Sequence, residues 1–194
     1  MALAAFDAPL SYRDWLAFPD DGHQYEVVEG IPVVNPSPNI RHQIASNRLA
    51  YILTSAAPAP LFVMASPVDW VLRAARPAHV RQPDIVVAHP DQLDFNAIRG
   101  VPLLAIEVLS PSSVERDVVT KRHAYARAGC PHFWLVDPSV PSIVVFTLVG
   151  RRYKRVDQAE GATALVVDEP FAMRVVPDDL VAGAPERDDG AYLK

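Results

Sequence analysis

Cysteine is almost absent from this chain of 194 residues, in which Cys130 stands alone. A single thiol excludes an intramolecular disulfide and a cysteine-rich zinc site, and it is typical of an intracellular protein. Long apolar runs are also missing, since no stretch approaches the roughly 20 apolar residues of a membrane-spanning helix. The first residues lack a basic segment and include Asp7 and Pro9, so we expect no signal peptide. The sequence predicts a cytoplasmic protein without a membrane segment.

Positive charge is scarce, because 18 basic residues face 23 acidic ones and give a net charge of -5. This balance argues against a broadly basic nucleic-acid coat but permits a local basic groove. Only three of the basic residues are lysines. Half of the residues are apolar, which is enough for one sizeable core. We therefore expect a single domain over residues 1–194, with a flexible tail over 178–194.

The first half of the chain predicts a short helix, a hairpin and a longer helix. Ser11 with Asp14 resembles a helix start, and β-branched residues on both sides of Glu29-Gly30 indicate a hairpin. Apolar residues at helical spacing predict a helix over about residues 40–56. Next, LFVMAS and PVDWVLR predict neighbouring strands, followed by a proline-containing turn through ARPAHVRQ and the strand DIVVAH.

The second half predicts a strand, a helix and three further strands. VPLLAIEVLS has the clearest strand pattern, and Ser112 or Ser113 can cap a helix that runs to Ala128 before Gly129. HFWLVD, SIVVFTLVG and RRYKRVD then predict strands, the last two as a hairpin. The order indicates an α/β chain of the α+β type, with a mixed sheet flanked by helices and a strand-helix-strand crossover around residues 101–137.

Three polar residues interrupt apolar segments of this pattern. They are Asp84 in RQPDIVVA, Glu107 in LLAIEVLSP and Lys121 in DVVTKRHAYARAG. A lone carboxylate inside a strand costs several kcal/mol of desolvation unless something compensates it. Two such strands followed by a helical lysine therefore suggest a metal ion and a polarised water.

The spacing around Glu107 and Lys121 indicates how these residues meet. Alternate residues of a strand share a face, so Glu107 and Leu109 point the same way. In the next helix, Asp117, Lys121 and Tyr125 are spaced by four and form one polar stripe that can lie over the end of the Glu107 strand. An amine can be tuned by burial, whereas a guanidinium stays charged.

A family resemblance accompanies these residues. The segments YEVVEG, RHQ, QPDIVV, IEVLSPSS, RDVVTKRHAYARAG and WLVDP, in this order and spacing over about residues 25–150, resemble the Uma-two family of proposed restriction endonucleases. That family is similar to the PD-(D/E)XK nucleases, which place the lysine two positions after the acid. Here Leu109 occupies that position, so the resemblance implies a restriction-endonuclease-like core whose lysine has moved into the following helix, as Lys121.

The resemblance also implies a metal site. Asp84, Glu107 and the backbone carbonyl of Val108 would bind Mg²⁺, or Mn²⁺, through hard oxygens. Lys121 would hold the attacking water and the scissile phosphate, and the products would carry a 5′-phosphate. Without the metal, the two acids would repel and one would tend to protonate.

The family resemblance extends to two residues that precede Asp84 in the chain, Glu26 and His42. Glu26 corresponds to an early acid of the family and would bind or orient a second metal or a water. Glu29 is an equally good candidate for this position on sequence alone. His42 in RHQ would contact the water or the phosphate, although a histidine near a helix start is more often capping or exposed.

Ordinary structural roles remain open for the main candidates. Asp84 and Glu107 could be strand-end carboxylates held by Arg81 and Arg99, and Lys121 alone could pair with Asp117 on an exposed helix. Of the remaining polar residues, Tyr125 is expected to pack rather than react, His123 and His132 lack the spacing of metal ligands, Asp137 is expected in a turn, and Asp69 has no explanation.

One basic run is dense enough to suggest a nucleic-acid contact. Arg151, Arg152, Lys154 and Arg155 flank Tyr153 on the predicted hairpin, where they could contact phosphates beside an acidic site. An ordinary solvated hairpin face explains the run equally well.

Together these residues predict a metal-dependent endonuclease that hydrolyses DNA phosphodiester bonds. Cleavage of both strands needs two sites, so we expect a homodimer. A second hypothesis is a catalytically weak nucleic-acid-binding or defence-associated scaffold of the same fold. A third is an RNA or nucleotide phosphohydrolase.

Overall fold

The computed structural model describes residues 8–18, 23–110 and 115–186, with side chains described from residue 118 onward in the last range. Its elements, in chain order, are α1 (Tyr12–Trp15), β1 (Gln24–Val28), β2 (Ile31–Asn35), α2 (Ile40–Ala56), β3 (Phe62–Ala65), β4 (Trp70–Arg73), β5 (His79–Arg81), β6 (Ile85–Ala88), β7 (Leu104–Val108), α3 (Glu115–Ala128), β8 (His132–Asp137), β9 (Ser142–Val149), β10 (Arg152–Glu160), β11 (Leu165–Val167), β12 (Met173–Val175) and α4 (Pro177–Val181). A short 3-10 helix follows β6 at Pro90–Gln92.

A mixed sheet of six strands forms the centre, in the order β10-β9-β8-β7-β6-β3. Strands β7 and β8 run parallel and are connected through α3, while the other neighbours in this sheet are antiparallel. The predicted mixed sheet and its crossover are therefore confirmed. Four strands form a second sheet in the order β2-β1-β5-β4, and β11 pairs with β12.

The central sheet has a core on each face. On one face, Ile106 and Val108 of β7 pack with Leu49 and Leu53 of α2. On the other face, Ala105 packs with Tyr125 of α3. Because side chains alternate along a strand, Glu107 lies on the face that α3 covers. The sheet therefore brings a carboxylate underneath a helix.

Three local predictions are confirmed at the N-terminal side. The Ser11 hydroxyl accepts from the Asp14 N–H at 3.3 Å and the Asp14 carboxylate accepts from the Ser11 N–H at 2.7 Å, which caps α1. The hairpin turns at Glu29 and Gly30, both with positive φ, and a Cβ on Gly30 would lie 2.5 Å from the Pro9 side chain. Helix α2 spans the predicted residues, with Asn39 as its N-cap.

The strands before β6 differ from the prediction. LFVMAS and PVDWVLR are not neighbours, because β3 pairs with β6 in the central sheet whereas β4 pairs with β5 in the second sheet. The predicted turn through ARPAHVRQ contains β5. A strand of three residues is too short to show an alternating pattern, so β5 could not be predicted from spacing.

The end of α3 is as predicted, since the helix stops at Ala128 and Gly129 follows with a φ of 91°. Its predicted cap at Ser112 or Ser113 lies outside the described residues. The prediction of a flexible tail from residue 178 onward is wrong for residues 178–184. Leu180 and Val181 of α4 are 1% and 7% exposed, and both belong to the main core.

No helix in the described part of the chain is both long and apolar enough to cross a membrane.

Candidate active site

Asp84 and Glu107 meet because two neighbouring strands run in opposite directions. Asp84 directly precedes β6, and Glu107 lies near the end of β7, with Ile85 opposite Ile106. The Val108 backbone N–H donates a hydrogen bond of 2.7 Å to the Asp84 carboxylate. The start of one strand is thereby fixed to the end of the next, and both acids lie at the same edge.

Helix α3 adds two side chains to Glu107. Lys121 Nζ donates to Glu107 Oε2 at 2.8 Å, and the Tyr125 hydroxyl donates to Glu107 Oε1 at 2.7 Å. Residues four apart lie on the same face of a helix, so both reach one carboxylate. Two members of the expected stripe thus lie over the Glu107 strand, while the side chain of Asp117 is outside the description. Tyr125 packs, as expected, but it also forms this hydrogen bond.

Glu26, in β1, completes a buried ionic group. Its Oε1 lies 3.3 Å from Lys121 Nζ and accepts from the Gln82 backbone N–H at 2.8 Å, while its Oε2 accepts from Arg81 Nη1 at 2.7 Å. Glu29 instead lies in the exposed turn, where it contacts Arg73 and His79. Of the two glutamates that the sequence left open, Glu26 is the one beside Lys121.

His42 reaches the site from α2. Its backbone N–H donates to the Asn39 side chain at 2.8 Å, as expected near a helix start. Its ring is buried, however, and Nε2 lies 3.3 Å from Asp84 Oδ1. The backbone of His42 takes part in capping while its imidazole faces the acid.

The arginines expected as ordinary partners of the two acids have other prominent contacts. Arg81 pairs with Glu26, and Arg99 pairs with Asp94 while lying over the ring of Tyr12. Partners of Asp84 and Glu107 come mainly from the backbone, α2 and α3.

Asp84, Glu107, Lys121 and His42 line one cavity of about 380 Å³, together with Val108. We call it the acidic cavity. Its walls come from α2, α3, β2 and the edge of the central sheet where β6 begins and β7 ends. Through this cavity a ligand can reach buried charged side chains that are otherwise covered by protein.

Burial and neighbouring charges shift the pKa values in opposite ways. Burial raises the pKa of Glu107 to about 8, and the charge of Asp84 adds to this, although Lys121 opposes it. Burial alone would lower the pKa of Lys121, but the charges of Glu107, Glu26 and Asp84 outweigh it, so its pKa is raised. Burial disfavours ionised Glu26 as well, yet Lys121 and Arg81 hold its pKa below the ordinary value. Lys121 is therefore an ammonium group.

Gln82 is a site residue that the sequence reasoning missed. Its side-chain Nε2 donates to Asp69 at 2.8 Å, and its Oε1 is buried without a hydrogen-bond partner in residues 8–18, 23–110 and 115–186. Gln82 lines the acidic cavity. The signal was its position two residues before Asp84, since alternate residues of an extended chain share a side. Its contact also accounts for Asp69, whose pKa is raised to about 6 by burial.

The residues of the basic run on the β9-β10 hairpin do not all lie on one face. Tyr153 packs toward α3 and its hydroxyl donates to the Cys130 carbonyl at 2.8 Å. Strand alternation puts Arg152 and Lys154 on the opposite face of β10. Arg151, in the turn, lines a second cavity beside α3. The predicted cluster is therefore divided.

The remaining polar residues have structural surroundings. Asp137 accepts from the Ser139 backbone N–H at 2.7 Å, which confirms its turn. His132 is buried in β8, and His123 is exposed on α3. Within the described ranges, no three side chains of His, Cys, Asp or Glu form a group that could hold a metal ion.

Comparison with known proteins identifies the family. The sequence profile of the Uma2 family, described as "Putative restriction endonuclease", matches residues 11–177. The fold resembles the crystal structure of "a putative nuclease belonging to DUF820" from Anabaena variabilis ATCC 29413, with a TM-score of 0.70 and 20% identity over 89% of this chain and 98% of that one. No curated protein matches. The structural likeness shows a restriction-endonuclease-like fold, and the profile shows that the chain belongs to the Uma2 family of nucleases.

Proposed function

We propose that this chain is a metal-dependent endonuclease that hydrolyses DNA phosphodiester bonds with Asp84, Glu107 and Lys121. One observation carries the proposal: these three residues, from separate parts of the sequence, line one cavity. Buried acids grouped around a lysine at a cavity are more frequent at functional sites than in purely structural ion pairs. Membership in the Uma2 family supports the same reaction class.

The donor set fits Mg²⁺ or Mn²⁺. Asp84 and Glu107 offer two carboxylates, with the Val108 carbonyl as a candidate third oxygen, and Mg²⁺ is usually bound by one or two carboxylates with waters and phosphate oxygens. Burial and the charge of Asp84 already raise the pKa of Glu107, so a cation beside both acids would relieve their repulsion. A bound divalent ion would lower the pKa of an attacking water and stabilise negative charge on the phosphate.

The protein side chains have distinct tasks in this mechanism. Lys121 remains charged and holds a phosphate oxygen or the attacking water in place. Glu26 and Tyr125 act through their contacts, the first with Lys121 and the second with Glu107. His42 and the Val108 N–H orient Asp84. Water attacks phosphorus and gives up a proton, the bond between phosphorus and the 3′-oxygen breaks, and the 3′-oxygen takes up a proton, which leaves a 5′-phosphate and a 3′-hydroxyl.

Plasmid cleavage tests the proposal. Supercoiled DNA is incubated with Mg²⁺ or Mn²⁺ and the wild type, Asp84→Ala or Lys121→Ala, beside a control with EDTA. We expect nicked or linear DNA from the wild type alone, because each substitution removes a group from the site. Equal cleavage by all three proteins indicates a contaminant, and no cleavage by any of them contradicts the proposal for this substrate.

A catalytically weak nucleic-acid-binding or defence-associated scaffold is the second candidate. The observation in its favour is that both oxygens of Glu107 already accept hydrogen bonds, from Lys121 and Tyr125. Glu107→Ala separates the two functions. The nuclease loses magnesium binding and cleavage, whereas the scaffold binds DNA as before. Matched DNA and RNA substrates test the third hypothesis, an RNA or nucleotide phosphohydrolase.

The homodimer stays a prediction from the reaction type. Sedimentation equilibrium at several protein concentrations tests it directly. A monomer that only nicks one strand would contradict it.

A further inference from the structure

A second cavity, of about 530 Å³, lies beside α3. We call it the basic groove. The α3 residues in its wall recur at spacings of three and four, so they form one face of the helix; they are Thr120, His123, Ala124, Arg127 and Ala128. Arg73 of β4 and Arg151 of the β9-β10 turn contribute from the facing elements.

The groove concentrates positive charge on a chain that is acidic as a whole. Arg73 is paired with Glu29, the one acid among the described residues that line the groove, and Glu29 also contacts His79. Arg127 and Arg151 are exposed, and neither has a salt bridge with any residue that the structure describes. Among the described side chains, these two guanidinium groups therefore have no counter-charge of their own, which makes the groove complementary to a polyanion.

Thr120 lines both the basic groove and the acidic cavity, so the two lie side by side along α3. Lys121, the next residue, faces the acids, and Arg127 follows six residues later, about 9 Å along the helix axis at 1.5 Å per residue. Successive phosphates of one DNA strand are about 3.4 Å apart along the duplex axis. On a duplex whose axis runs along α3, a phosphate two or three nucleotides from the one at Lys121 would lie near Arg127.

We propose that the basic groove binds the phosphodiester backbone of the nucleic-acid strand whose reacting phosphate occupies the acidic cavity. This inference rests on the proposed function, because the acidic cavity fixes where the strand is cut. Guanidinium groups bind phosphates through paired hydrogen bonds, and such phosphate contacts carry no information on base sequence. The groove thus positions the strand, and sequence recognition is not among its tasks.

Fluorescence anisotropy with a labelled 20-base-pair duplex tests the groove. Binding is measured in EDTA, which prevents metal-dependent cleavage, over a series of salt concentrations. We expect Arg127→Ala/Arg151→Ala to bind about tenfold or more weakly near 0.1 M salt, with a salt slope smaller by roughly 1 to 2 because two phosphate contacts are lost. Lysine at both positions should restore most of the binding.

Arg174→Ala is the matched control, since Arg174 is an exposed arginine of β12 outside both cavities. It should bind like the wild type. The inference is wrong if the double variant retains full affinity, if Arg174→Ala loses as much, or if the wild type binds no duplex. Single-stranded DNA and RNA of the same sequence, measured in parallel, identify which nucleic acid the groove prefers.

A small substrate separates this inference from the proposed function. Hydrolysis of bis(4-nitrophenyl) phosphate by the wild type and Asp84→Ala is measured with Mn²⁺, because this diester is too short to occupy the groove. Hydrolysis by the wild type alone, with full duplex binding by the double variant, removes the groove and keeps the nuclease. Impaired duplex binding by the double variant, with no plasmid cleavage and no diester hydrolysis by the wild type, keeps the groove and removes the nuclease.

Discussion

Helix α3 carries cations on two faces with opposite surroundings. Lys121 is 7% exposed and lies between two glutamates, whereas Arg127 is exposed on the wall of the basic groove. A buried ammonium is held in a fixed position and depends on its partners, since each partner compensates the desolvation of the other. An exposed guanidinium keeps its freedom and its hydration. Lys121 and Arg127 therefore carry the same formal charge with different results. Lys121 is held in a fixed position, whereas Arg127 attracts a polyanion without a fixed geometry.

The largest expected effect comes from removing the buried cation. Lys121→Met leaves Glu26 and Glu107 without their shared partner, so we expect the free energy of unfolding to fall by about 3–5 kcal/mol. Arg127→Met, on the exposed face, should change it by at most about 0.5 kcal/mol. Urea denaturation of both variants measures the contrast. An equal loss of unfolding free energy in the two variants would show that burial does not distinguish the two faces of α3.

A smaller contrast lies between the two glutamates of the first hairpin. Glu26→Gln weakens a buried ion pair with Arg81 and Lys121, and we expect a loss of about 2–3 kcal/mol together with reduced DNA cleavage. Glu29→Gln affects an exposed pair and should cost less than about 1 kcal/mol. Urea denaturation and plasmid cleavage check both. A greater loss from Glu29→Gln would reverse the assignment of the early acid.

The smallest effect concerns Asp69, which holds the Gln82 side chain. Its folded pKa is raised from 3.8 to about 6, so its contribution to stability is full below pH 4 and is lost as the pH rises through 6. At about 1.4 kcal/mol per pH unit the loss approaches 3 kcal/mol. We expect about 1 kcal/mol because Asp69 is only partly buried.

Asp69→Asn removes this dependence while its amide oxygen can still accept from Gln82. The stability of the variant relative to the wild type should therefore rise by about 1 kcal/mol between pH 4 and pH 7. Thermal unfolding across this range measures the difference. A difference that does not change with pH would contradict the raised pKa.

The sequence identified the parts of the site that violate a strong local pattern. Asp84, Glu107 and Lys121 were visible because a charge inside an apolar segment needs an explanation. Gln82 was missed because a neutral amide violates no pattern, and its role depends on contacts with distant Asp69 and Glu26. Arg127 was missed for a similar reason, since an arginine on a helix surface is common.

The fold shows the same limit. Helix α2, with apolar residues at helical spacing, and β7, within a nearly continuous apolar run, were predicted well because both patterns are local. The pairing of β3 with β6 and of β4 with β5 depends on which sheet each strand joins, which spacing does not encode. Helix α4 was mistaken for part of a tail because its three buried residues, Pro177, Leu180 and Val181, stand in a polar and glycine-containing segment.

The contacts of α4 have a consequence for any shortened form of the protein. Arg48 of α2 donates to the carbonyls of Asp179 and Ala182, at 3.1 and 2.8 Å, so the C-terminal segment holds the helix that carries His42. A chain ending at residue 176 would lose these attachments and the packing of Leu180. We therefore expect the segment around α4 to influence where the His42 imidazole meets Asp84, although neither Asp179 nor Leu180 lines the acidic cavity.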